Sequence, residues 1–261
     1  METTKQAGYR PILFIAITFG ITWILAVFHA YQTWFSSDTI PGTIILIIAN
    51  FFSSASPLVA AIILLRKSLF KGHNLTRFVF GAKPILSVSY IIVAALFLFQ
   101  FLTFFFFRFE NNTISINAFI AAWCGQILLG GGMEEGGWRG YLQPAIEQKV
   151  HITITVIIAG LVWALWHLPY FFLPGTIHTG GNFGFYIVTT IATAYTLTAI
   201  YKLTGSVLIC TLFHGWQNAI VMNIPTDMGS AGFLVMFAIQ TIVSIILCMK
   251  PLGLQNNSNL A

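Results

Sequence analysis

Glu134, Glu135 and Arg139 sit in a short run, Glu134-Glu135-Gly136-Gly137-Trp138-Arg139-Gly140, within a chain that is otherwise poor in charge; His167 and then His214 with Asn218 follow. All of them fall inside or at the ends of long apolar stretches. An ionised group in hydrocarbon costs about 2.5–3.5 kcal/mol even on the lenient insertion scale, so these positions mark a buried polar site. A carboxylate with an imidazole is the equipment of general-base hydrolysis. An imidazole with a carboxamide can donate two hydrogen bonds to a developing oxyanion.

The spacings divide the labour. Glu135 and Arg139 are four apart, so on a helix they share a face and pair, with the acid N-terminal in the favoured order. Glu134 is turned by about 100° from Glu135 and is left free to act. An ordinary solvated ion pair at a span end is the plain alternative for this run. His167 follows Trp163 by one helical turn, with Pro169 two residues on loosening the helix; beside two tryptophans such a histidine is commonly an interfacial residue. His214 and Asn218 are again four apart on one face, where hydrogen-bonding glue between membrane helices is the plain alternative. Three such groups in one chain favour a shared site.

The elements that must position them are membrane helices. The chain is 57% hydrophobic and 7% charged, a composition of polytopic membrane proteins. A span needs roughly 20 apolar residues, and eight segments approach this: 11–30, 43–65, 85–107, 116–133, 152–172, 183–201, 206–222 and 231–249. Runs such as Phe104-Phe105-Phe106-Phe107 do not alternate as barrel strands would, so the expectation is an all-α polytopic membrane protein, a bundle of about eight transmembrane helices. The first run lacks a small-residue cleavage site and reads as a retained span. Residues 1–250 form one transmembrane helical domain with the catalytic core in 118–223, and 251–261 is a disordered polar tail.

Helical periodicity continues past the apolar limit of the fourth segment, so a helix over 118–148, roughly 45 Å long at 1.5 Å per residue, places Glu134 near its middle. The alternative stops the helix at Gly130-Gly131-Gly132 and leaves the glutamates in a surface loop. All Lys and Arg except Arg108 fall in connections on one side, including Lys5, Lys83 and Lys250, so both termini are expected in the cytoplasm. The basic residues form no amphipathic surface, which argues against nucleic acid as a partner. Cys124, Cys210 and Cys248 show no paired spacing and read as core residues. His29, His73, His151 and His178 receive no role, and Asp38 and Asp227 fall in external connections.

Two adjacent glutamates with an arginine four after the second, a tryptophan four before His167, and a histidine four before Asn218 resemble the motifs of the CAAX-protease and bacteriocin-processing (CPBP) family. Its members include intramembrane endopeptidases related to the type II CAAX prenyl endopeptidases. The resemblance covers roughly 118–223, and the stretch from Glu134 to Gly140 with Pro144 is its specific part. It implies an intramembrane peptidase in which Glu134 with His167 activates water, His214 and Asn218 stabilise the oxyanion, and Glu135 and Arg139 are structural supports. It further implies a peptide or lipidated-protein substrate in the lipid bilayer. Gly130-Gly131-Gly132 is richer in glycine than the family pattern, which is expected to loosen the helix carrying Glu134, and Trp163 stands where Phe is common.

Glu134, His167 and His214 also make a three-ligand set for Zn2+ with water as the fourth ligand. The helical His-Glu-x-x-His signature is absent, and the preferred reading uses no cofactor. A non-enzymatic immunity or binding protein and a proton-coupled carrier are the alternatives from other classes. No internal repeat and no matched pair of broken helices is visible, which weighs against the carrier.

Overall fold

The computed structural model describes residues 9–35, 40–81, 87–108, 115–224, 226 and 229–249. Lys5, Asp38, Lys83, Asp227, Lys250 and the 251–261 tail lie outside the described residues.

Nine helices carry the fold among the described residues: α1 (Pro11–Phe35), α2 (Ile40–Leu69), α3 (Asn74–Phe80), α4 (Ser87–Phe106), α5 (Ile116–Leu129), α6 (Ile152–Trp166), α7 (Phe183–Thr204), α8 (Val207–Asn223) and α9 (Gly229–Met249). Short helical turns over 131–147 connect α5 to α6. Among the described residues no strand occurs, only an isolated bridge between Arg108 and Thr226. The chain is an all-α polytopic, integral membrane protein. Among the described residues six stretches are long and apolar enough to cross a bilayer, Ile116–Glu147 among them. Two of the eight expected segments are shorter: α6 has 15 residues and α8 has 17.

The outward faces are aliphatic, as at Ile12, Val27, Ile91 and Ile242, while polar side chains turn inward and satisfy one another. Trp166 Nε1 donates to Thr22 Oγ1 at 2.7 Å, and Thr22 Oγ1 is 2.7 Å from Ser56 Oγ, tying α6, α1 and α2 together. A second polar knot joins α4, α7, α8 and α9. Gln100 Nε2 donates to Gln217 Oε1 at 3.0 Å, Gln217 Nε2 to Thr193 Oγ1 at 2.9 Å and Gln240 Nε2 to Thr196 Oγ1 at 2.9 Å. With lipid outside and little hydrophobic drive between helices, such bonds fix which faces meet.

The expected single helix over 118–148 is broken. Gly130 is extended (φ −127°, ψ −148°) and ends α5. A 3₁₀ turn (Gly131–Glu134), one α-turn (Glu135–Gly137), a π-turn (Trp138–Leu142) and a last α-turn (Gln143–Glu147) follow. The surface-loop alternative does not hold either, because Glu134 through Gly140 are buried throughout. The motif is helical but redirected into the bundle.

Gly136 and Gly137 explain how it fits. A Cβ on Gly137 would stand 2.5 Å from the carbonyl carbon and oxygen of Pro57, the proline inside α2, and one on Gly136 would collide with Leu58. The two glycines let the glutamate turn lie directly on the backbone of α2. At its other end the motif is held to α7 by the Lys202–Glu147 ion pair. Gly205, left-handed at φ +64°, stops α7, and Ser206 caps the next helix by accepting from Ile209 N at 3.3 Å. That two-residue turn brings α8, with His214 and Asn218, back against the motif.

Candidate active site

Glu134 is 4% exposed and is held by two indoles: Oε2 accepts from Trp138 Nε1 at 3.1 Å and from Trp163 Nε1 at 2.7 Å. Trp138 is one helical turn along the same segment, whereas Trp163 comes from α6. Two neutral donors on one oxygen stabilise a carboxylate without supplying a counter-charge. Among the described residues both of these bonds fall on Oε2 and neither on Oε1. The tryptophans were legible as motif aromatics but not as the clamp on Glu134, since indole donation depends on ring orientation that spacing does not reveal.

Glu135 points to the other side, as the helical offset requires. Its Oε1 meets His214 Nδ1 at 2.9 Å, and its Oε2 stands 3.3 Å from Arg139 Nε, an ion pair without hydrogen-bond alignment. All three side chains are buried. The Arg139 guanidinium carbon also lies 5.4 Å from the Trp163 ring centre, within cation–π range. The pairing of Glu135 with Arg139 follows the i, i+4 spacing; its second bond, to His214 on α8, was not anticipated. Glu135 therefore orients an imidazole as well as bracing a helix.

Because Nδ1 of His214 is engaged, Nε2 is turned toward Gly131. The position where a Cβ on Gly131 would sit is 2.6 Å from His214 Nε2 and 2.6 Å from Asn218 Nδ2. With no side chain on Gly131, both groups pack directly against its main chain and so lie side by side. The glycine run interrupts the helix, in line with the loosening its composition suggested, since Gly130 ends α5 and a 3₁₀ turn follows. Gly131 lets His214 and Asn218 approach its main chain, and Gly132 allows contact with α5, where a Cβ would lie 2.9 Å from Gln126 O, while Thr211 Oγ1 of α8 donates to Gly132 O at 2.9 Å.

His167 caps the end of α6, where Pro169 begins a 3₁₀ turn, Leu168–Phe171. The proline ends the helix rather than merely loosening it. His167 Nδ1 bonds Trp163 O at 3.1 Å; since a carbonyl only accepts, Nδ1 carries the proton and a neutral ring keeps Nε2 as an acceptor. Trp163 consequently joins Glu134 through its indole to His167 through its main chain, and its ring stands edge-on to His214 at 5.1 Å. Its contact with the His167 ring is looser, at 6.3 Å.

His178, which carried no motif, lies with its ring 5.4 Å from that of His167 and 4.9 Å from Tyr186. Burial pushes its imidazole down to about 4, so it is uncharged at neutral pH. The intervening loop folds on itself through Thr176 Oγ1, donating to Tyr170 O at 2.6 Å. No sequence signal marks this approach, which arises from loop closure. Of the cysteines, only Cys210 is a buried core residue; Cys124 is exposed.

The structure thus joins Glu135 to Arg139 and His214 by direct contact, packs His214 and Asn218 against Gly131, and links both Glu134 and His167 to this group through Trp163. Zinc needs three or four converging donors at about 2.0–2.3 Å. Among the described residues no three His, Cys, Asp or Glu side chains are grouped as such a set, and one Glu134 oxygen is occupied by two N–H donors. The arrangement does not fit a three-ligand zinc site, and no step below passes through a metal.

Comparison with known proteins agrees with the resemblance carried by the motifs. A family model described as type II CAAX prenyl endopeptidase Rce1-like matches residues 116–220, a range that holds the glutamate pair, both histidines and Asn218. A protein of Methanococcus maripaludis called CAAX prenyl protease 2 is 28% identical, over a match covering 63% of this chain and 64% of that protein. The chain therefore spans about 64% of the length of this relative.

Proposed function

We propose that this chain is an intramembrane endopeptidase that hydrolyses a peptide bond in a membrane-associated peptide or a lipid-modified protein, with its catalytic core in 118–223 and both termini in the cytoplasm. The observation that carries the proposal is that His214 Nε2 and Asn218 Nδ2 lie side by side against the main chain of Gly131, on a helix packed against the Glu134 turn. A family model for peptidases spanning these residues supports the same reading.

In the proposed reaction Oε1 of Glu134, with His167 Nε2 as a second acceptor, takes a proton from water as the water oxygen bonds to the scissile carbonyl carbon. The carbonyl π electrons move onto oxygen, and His214 and Asn218 receive the oxyanion. Asn218 donates through Nδ2–H. His214, its ring oriented by the contact of Nδ1 with the Glu135 carboxylate, donates through Nε2–H. Collapse re-forms the carbonyl and breaks the C–N bond, and the leaving amine takes the proton back from Glu134. Two donors preorganised in a dry site need no reorientation as charge develops.

The test is turnover in vesicles with a membrane-peptide library. His214→Ala and Asn218→Ala should each lower kcat by about 10²–10³-fold while the substrate still binds. A toxin-sequestering protein would keep its function in the Asn218→Ala variant, and a carrier would move protons with its substrate; wild-type turnover in both variants would overturn the proposal. Prolonged chelation should leave turnover unchanged. Loss of activity on chelation that one zinc per chain restores would replace the glutamate mechanism with a metal-dependent one.

A further inference from the structure

The donor geometry at Gly131 depends on which way the Asn218 carboxamide faces, and the structure points to the group that decides it. Asn218 Nδ2 donates to Gln126 Oε1 at 2.9 Å, and the main-chain N–H of Gly131 donates to the same oxygen at 3.3 Å. A backbone amide can only donate, so it fixes which end of the Gln126 carboxamide is oxygen. That oxygen in turn accepts only from the nitrogen end of Asn218. Nδ2 has two hydrogens; with one on Gln126, the other is available to a substrate oxyanion. Gln126 Nε2 meets the Met222 sulfur at 3.5 Å, which a reversed amide would meet with oxygen instead.

Gly130 makes room for this arrangement, since a Cβ there would lie 2.8 Å from Gln126 Cδ. The break in the helix at Gly130 and the amide relay thus belong to one device. Gln126 is on α5, Gly131 opens the motif, and Asn218 is on α8, so the chain of bonds joins three elements around the site.

We infer that Gln126 is a positioning residue for the hydrolysis proposed above, locking the Asn218 carboxamide with its NH2 toward the oxyanion. The inference rests on that reading of Asn218. Without the Gln126 acceptor the Asn218 amide can turn over, and its oxygen then faces the developing negative charge. The binding of substrate is untouched, so the effect falls on kcat.

Gln126→Leu removes the acceptor at similar volume. It should lower kcat by about tenfold or more, with KM within about twofold. Combined with Asn218→Ala it should add nothing, the double variant matching Asn218→Ala within about threefold, because both changes remove the same donor. Gln126→Met, an unbranched helix former without a carboxamide, should behave identically and serves if the leucine variant is not monodisperse. Wild-type kcat in a folded Gln126 variant, or losses that multiply in the double variant, would overturn the inference. Wild-type kcat for Asn218→Ala would overturn the reading beneath it, which separates the two failures.

Discussion

Glu134→Gln abolishes peptide cleavage while leaving the protein folded: turnover in vesicles falls by about 10⁴-fold, the upper range for loss of a general base. The two indoles give this substitution an unusually clear outcome. Trp138 Nε1 and Trp163 Nε1 both donate to one oxygen of residue 134, at 3.1 and 2.7 Å, and a glutamine satisfies them only by presenting its carbonyl oxygen there. Its NH2 must then occupy the place of Oε1, where a donor cannot take a proton from water. The substitution keeps volume and both indole bonds and removes a charge from beside the Glu135 carboxylate, so the monodisperse yield and the detergent melting temperature should match wild type. Retained cleavage by such a folded variant would rule out Glu134 as the base. A variant that fails to fold would instead make the carboxylate a structural acceptor for the tryptophans.

The residue types of this site were readable because a membrane makes charge conspicuous. Glu134, Glu135, Arg139, His167 and His214 stand out against an apolar background, and i, i+4 spacing was enough to pair Glu135 with Arg139. What remained hidden lies in contacts between distant elements. The bond from Glu135 to His214 crosses 79 positions and that from Trp163 to Glu134 crosses 29, and no local periodicity encodes either. The helix break was hidden for a different reason. Gly130 is a weak helix former in any context, and the Gln126 carboxamide, from one turn back, fills the space a side chain there would need. Helical periodicity beyond Met133 was real, yet periodicity reports local winding and not direction, so a redirected chain reads like a straight one. Span counting shows the same limit. The helices α6 and α8 are short for a bilayer but lie against longer neighbours, and burial among those neighbours rather than length places His167 and His214.

Gly131→Ala is expected to lower kcat by about 10³-fold or more, comparable to losing both oxyanion donors, with little change in fold. The added methyl carbon would sit 2.6 Å from His214 Nε2 and 2.6 Å from Asn218 Nδ2, closer than any carbon–nitrogen contact tolerates, so both side chains must shift from the positions proposed for donation. The backbone raises no objection, because Gly131 begins a 3₁₀ turn and is not among the glycines with positive φ. Alanine is also the better helix former there, so a loss of activity cannot be assigned to a strained main chain. The measurement is kcat per folded molecule together with the melting temperature. If the methyl merely crowds the packing between the motif and α8, stability falls and the surviving folded fraction turns over at the wild-type rate. If His214 and Asn218 stabilise the developing negative charge, turnover collapses in the folded fraction. Adding Asn218→Ala, which relieves part of the crowding, then restores no activity, because the donor is gone.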